Sequence, residues 1–140
     1  MKKFIFIIAI VICTISTSFS QKHIIPNEVK MAFAKQYPNV TKVNWEKEKD
    51  NYEAGFADDK IEKSVLLDSK GNILETEVAI GKSTLSKEIL AYVTKNYPGK
   101  KIKGVAKINS TKESVIYEVE VDVKDVLFDE TGKFIRESKD

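Results

Sequence analysis

The chain has 140 residues, 42% of them hydrophobic and 31% charged, with 23 basic and 21 acidic side chains. That length favours one compact domain or two small halves sharing a core, and the composition excludes a disordered or collagen-like chain. Near-balanced charge argues against a nucleic-acid partner, which would leave an excess of Lys and Arg.

The first segment is not expected in the fold. Lys2 and Lys3 precede an apolar run from Phe4 to Ile15, and Ser18-Phe19-Ser20 places small residues before Gln21. That pattern is a secretory signal peptide over residues 1–20. The apolar run is shorter than a membrane span needs. Ile12 is too bulky for lipoprotein processing at Cys13, which asks for a small residue there. Cleavage removes both lysines, leaving 21 bases against 21 acids, and removes the only cysteine. The expected product, residues 21–140, is exported to the periplasm or beyond, keeps no membrane anchor, and must be stabilised by its core without a disulfide.

A helix comes next. In IPNEVKMAFAKQYP, residues 25–38, the apolar positions Ile25, Val29, Phe33 and Tyr37 recur at helical spacing, and Pro38 ends the run. Pro26 suits a first helical turn, which needs no donor there. The period then changes to two. Val43 and Trp45, then Tyr52, Ala54 and Phe56, alternate with polar residues, as in strands with one buried face. On that parity Trp45 faces the core. Asp50-Asn51 and Asp58-Asp59 are turn signals. LLDSKGNILE, residues 66–75, places Asp-x-x-Gly between two strands, with Gly71 suited to the left-handed position of a bulged hairpin. One or two carboxylates per loop fall far short of a calcium-binding set.

The pattern then repeats. After a Gly81-Lys82-Ser83-Thr84 linker, LSKEILAYVTKNYP at 85–98 lies over 25–38, and LFDETGKFIR at 127–136 lies over 66–75. Between them VIYEVEVDV, residues 115–123, alternates strictly. The expected fold is therefore α+β. Two tandem repeats, about 25–80 and 84–137, each carry a helix and an antiparallel four-strand meander. They form two layers, with both helices on one face of the sheet.

Chemistry is harder to find. His23 is the only histidine, so neither a zinc site nor a catalytic triad can be assembled around it. No complete phosphate loop occurs. No metal, cofactor or catalytic residue is expected. Parity turns Glu46, Glu48, Glu53, Glu75 or Glu77, and Glu118, Glu120 and Asp122 away from the apolar side. Such a face would attract a basic protein or peptide. The competing reading pairs these acids across strands with Lys47, Lys103 and Lys107, as an ordinary solvated surface. A second candidate contact is the hairpin at Asp50 and Asn51. The functions to separate are a non-catalytic binding module, an inhibitor of a secreted or periplasmic hydrolase, and an enzyme using the acidic residues.

The order helix, YP, VNW…Y.A.F, DxxG, ILETE, followed by a second helix-YP and DxxG, resembles the beta-lactamase-inhibitor-like, PepSY-like family of exported bacterial proteins. Pro26, Val29, Phe33, Tyr37, Pro38, Val43, Trp45, Tyr52, Asp68, Gly71, Glu75 and Glu77 carry the resemblance in the first half. Leu85, Ile89, Tyr97, Pro98, Tyr117, Glu118, Phe128, Asp129 and Gly132 carry it in the second. Ser86 stands where the family often has proline. The resemblance implies an α+β, two-layer fold with antiparallel meander sheets, and it brings no established common activity.

Overall fold

The computed structural model describes residues 24–112 and 114–139; the expected signal peptide and Cys13 lie outside them. Helix α1, Asn27–Gln36, is followed by strands β1 Asn44–Glu48, β2 Asn51–Asp58, β3 Ile61–Leu67 and β4 Ile73–Ala79. A 3-10 turn at Lys82–Thr84 leads to α2, Lys87–Asn96, and then β5 Ile102–Ser110, β6 Ile116–Val121, β7 Lys124–Asp129 and β8 Phe134–Lys139. All eight strands form one antiparallel sheet in sequential order, so the fold is α+β.

The helices end as their sequences dictate. The Tyr37 and Tyr97 amides each close a last turn onto the carbonyl four residues back, at 2.9 Å. Both tyrosines then leave helical geometry, at φ −127° and −129°, which the following prolines require. Pro26 stands at the N-cap, one residue outside α1. Ser86 caps α2 by accepting the Ile89 amide at 3.3 Å, so the missing proline is replaced by a working cap.

Each helix buries one stripe. Val29 and Phe33 of α1 pack on Ala54, Phe56, Val65 and Leu67. Ile89 and Val93 of α2 pack with Val105, Val119, Val121, Val126 and Phe128. Trp45 sits at the edge of the first cluster, its ring edge-on to Phe33 at 5.4 Å. It is half-buried because β1 is an edge strand. Tyr37 and Tyr97 are also only half-buried. The Tyr97 hydroxyl donates to Glu137 Oε2 at 2.5 Å.

The Asp-x-x-Gly loops lock the helices down. Asp68 Oδ1 accepts the Lys70 and Asn72 amides, both at 2.9 Å. Asp129 Oδ1 accepts those of Thr131 and Lys133 at 2.9 and 3.0 Å. These bonds hold both carboxyls below the usual range, side-chain bonds from Asn72 and Thr131 contributing most. The carboxylates are thus spent on their own loops. A β-bulge precedes each loop, at Leu66/Leu67 and at Leu127/Phe128. Gly71 has φ +83°, and a Cβ there would lie 2.8 Å from Ala32 Cβ and 2.9 Å from the Glu28 carbonyl oxygen. Gly132, at φ +84°, meets Ser86 Oγ at 2.8 Å in the same way.

Gly71→Ala should therefore cost about 1–3 kcal/mol of stability from left-handed strain and helix displacement. Gly55→Ala, whose Cβ would find nothing nearer than 3.9 Å, should cost well under that. Urea midpoints of the two variants check the contrast.

Candidate functional site

Cross-strand partners share a face, so the register fixes which acids stand together. Glu46 opposes Glu53, Glu53 opposes Leu66, and Leu66 opposes Glu75. In the adjacent row Gly55 opposes Ser64, Ser64 opposes Glu77, and Glu77 opposes Ile108. In the second half Ala106, Glu118 and Leu127 align, as do Gly104, Glu120 and Asp125. These positions alternate with the helix-packed ones along every strand. One face of the sheet thus carries Glu46, Glu53, Glu75, Glu77, Glu118, Glu120 and Asp125. Glu48 shares the parity of Glu46 and opposes Asn51.

Two of the expected basic neighbours are elsewhere. Lys47 opposes Tyr52, and Lys107 opposes Tyr117, on the other parity, that of the core aromatics. Lys103 Nζ does approach Glu120 Oε1, at 3.9 Å. Arg136 stands on the acidic face, opposite Leu127.

The face is not the uniformly wet row that alternation suggests. Glu118 is buried at 3% exposure, as are Asp125 at 4% and Glu77 at 8%, amid Ile108, Ile116 and Leu127. Glu77 Oε2 has no hydrogen-bond partner among the described residues. Burial, then the nearby carboxylates Glu53 and Asp125, push the Glu77 carboxyl up to about 8, against a smaller opposing effect of a Ser64 hydrogen bond. Burial also raises Glu53 and Glu48. Glu77 is therefore mostly neutral at pH 7.

Asp122 leaves the group altogether. Strand β6 ends at Val121, and Asp122 enters the two-residue turn before β7 with φ +63°. Its carboxylate pairs with Lys100 at 2.8 Å. The candidate hairpin is also shifted by one residue. Lys49 and Asp50 form the turn, Lys49 at φ +56°, and Asn51 is the first residue of β2. A cavity of about 170 Å³ beside this turn is lined by Glu48, Lys49, Asp50, Asn51, Leu66, Leu74, Glu75, Ser110, Thr111 and Lys112. It brings the hairpin and the acidic face together. Ser110 Oγ donates to Glu75 Oε1 there, at 3.0 Å.

A family model provisionally described as beta-lactamase-inhibitor-like, PepSY-like matches residues 15–75 and again residues 50–136. The chain belongs to this family.

A PepSY-like identity fits the solved structures that resemble it. One, from Bacteroides eggerthii and provisionally described as periplasmic, superposes with a TM-score of 0.73 at 15% identity, covering 84% of this chain and 90% of its own. A DUF2874 family protein from Bacteroides uniformis gives 0.70 at 22% identity, covering 81% and 88%. A BLIP-like protein from Bacteroides fragilis gives 0.63 at 27% identity, covering 81% and 85%. No curated protein matches the sequence. Among the described residues of this PepSY-like chain, no group of three or more His, Cys, Asp or Glu is arranged to hold a metal ion. No described helix is long and apolar enough to cross a membrane.

Proposed function

We propose that this PepSY-like chain is an exported, non-catalytic binding module that presents the acidic face of its sheet to a basic protein or peptide. The observation that carries this reading is the register: it gathers Glu46, Glu53, Glu75, Glu77 and Glu120 on one face and sends Lys47 and Lys107 to the other. Positive side chains of a partner would meet a surface whose acids already repel one another. Export rests on the leader at residues 1–20. The module would be residues 21–140, built from two copies of one helix-plus-four-strand unit at about 25–80 and 84–137. In that reading both helices cover the same face, since the row Phe56, Lys63, Val78, Lys107, Tyr117, Phe128 runs from one helix cluster to the other.

The test is capture of envelope proteins by the purified protein, followed by binding measurements on the captured partner. Glu46→Gln, Glu53→Gln and Glu120→Gln together should keep the fold, because the neutral amides keep the shape of the carboxylates and the change weakens one long ion pair, Lys103–Glu120 at 3.9 Å. They should weaken binding, and wild-type affinity should fall as salt rises. Unchanged affinity with an unchanged salt response would defeat the proposal.

A second reading, inhibition of a secreted or periplasmic hydrolase, is favoured by the exposed Lys49-Asp50 tip standing beside the 170 Å³ cavity. An inhibitor lowers its target's activity near one-to-one stoichiometry. An enzyme working through these carboxylates would instead turn over substrate unaided.

A further inference from the structure

A second surface borders the acidic face. An open groove of about 630 Å³ runs between the C-terminal end of α2 and the start of β5. Its apolar lining includes Leu90, Val93 and Ile102, and Lys82, Lys100, Lys101 and Lys103 stand around it. Leu90 is 40% exposed, one of few large apolar side chains left open to water. The volume lies within the range of ligand-binding clefts.

The first half of the chain supplies an internal control. It has the same helix, the same Tyr-Pro stop and the same exit into a strand. Yet Lys-Lys-Ile-Lys at 100–103 corresponds there to Val-Thr-Lys-Val at 40–43, and Leu90 corresponds to Lys30. The fold therefore does not require lysines at this place, nor an exposed leucine. Neither does the helix dipole, since each helix already has a basic residue in its last turn, Lys35 or Lys95. The second half differs in its rim cations and its exposed leucine.

Asp122 organises the rim. Its carboxylate holds Lys100 at 2.8 Å, and its carbonyl accepts from Lys103. One residue thus holds two lysines, one through its side chain and one through its backbone. Lys82 and Lys101 make no ion pair among the described residues.

We propose that this groove docks an acidic protein segment carrying an apolar side chain, with the apolar group against Leu90, Val93 and Ile102 and its carboxylates on the lysine rim. Charge complementarity selects the partner's sign. The shallow opening suits a segment of chain, because a small ligand would be left largely exposed. The surface centres on the end of α2 and meets the acidic sheet face where Lys103 approaches Glu120.

The probe is a fluorescent dodecapeptide of alternating Glu and Leu, with a Gln-Leu twin as control, titrated into the purified protein by anisotropy. The Glu-Leu peptide should bind, the Gln-Leu peptide should not, and salt should weaken the complex. Lys82→Glu with Lys101→Glu should reduce affinity about fivefold or more, the scale of one or two exposed ion pairs. Leu90→Ala should also weaken it, whereas Asp122→Asn, which releases Lys100 from its ion pair and suits a left-handed turn, should strengthen it. Glu46→Gln with Glu53→Gln on the sheet face, neither of which meets a rim lysine, should leave it unaltered. No binding, binding indifferent to the lysine reversals, or binding only to anionic phospholipid vesicles would overturn the proposal. So would a salt-sensitive dimer of the protein that the lysine reversals dissolve, which would make the groove a self-interface.

Discussion

Phe128→Ala is expected to cost about 3–5 kcal/mol, the range for truncating a large buried aromatic. Phe128 is 0% exposed and the largest of the fully buried side chains. Its ring meets Tyr92 edge-on at 5.3 Å and Phe134 at 6.3 Å, so the cavity has aromatic walls that cannot collapse without breaking those contacts. A domain of this size has about 5–15 kcal/mol in all, and the variant should melt much earlier. The informative readout is Trp45. It is the only tryptophan, and it lies in the other half against Phe33. Strands β4 and β5 join the halves through five paired positions, from Glu75–Ser110 to Ala79–Ala106. If that ladder makes one cooperative unit, tryptophan fluorescence and circular dichroism should share one lowered midpoint. A Trp45 transition left at the wild-type temperature would mean that the halves unfold separately.

Local chemistry made much of this fold legible. The helices follow from their apolar period, their ends from Tyr-Pro, and the bulged hairpins from Asp-x-x-Gly, because each signal acts within a few residues. The site was less legible because it depends on register and on turn position. Alternation run straight through VEVDV places Asp122 on the acidic face. The strand ends one residue earlier, Asp122 turns toward Lys100, and the acid on that face is Asp125 of the next strand. Parity alone could have put Lys47 and Lys107 on the other face from the acids, since each sits one residue from an acidic-face position. Burial of Glu77 and Glu118 had no local signal. It comes from neighbours on other strands, Ile108 beside Glu77, and Ala106 and Leu127 beside Glu118.

Stability should fall as pH rises from about 5 to about 8, and Glu77→Gln should remove most of that fall. The Glu77 carboxyl goes from an ordinary 4.5 to about 8 on folding. The folded protein therefore holds a proton there that the unfolded chain releases above pH 4.5. A group raised in this way contributes its full stability below the unfolded value and loses it as pH passes through the folded one. The window is about 3.5 pH units wide, and at 1.36 kcal/mol per unit the span is up to about 5 kcal/mol. The cause is burial first, then repulsion from Glu53, Asp125 and Glu75, with Ser64 opposing. Gln has a similar shape, needs no proton to stay neutral, and replaces the carboxyl beside Ser64 and Ile108. Urea unfolding at pH 5, 7 and 9 checks this. Wild type and variant should be nearly matched at pH 5, and the variant should be several kcal/mol more stable at pH 9. Parallel pH profiles would mean that Glu77 ionises freely in the folded protein. The same linkage reaches function: a cationic group docking near Glu77 would lower its pKa, so binding at pH 7 should release protons, measurable as a buffer-dependent heat of association.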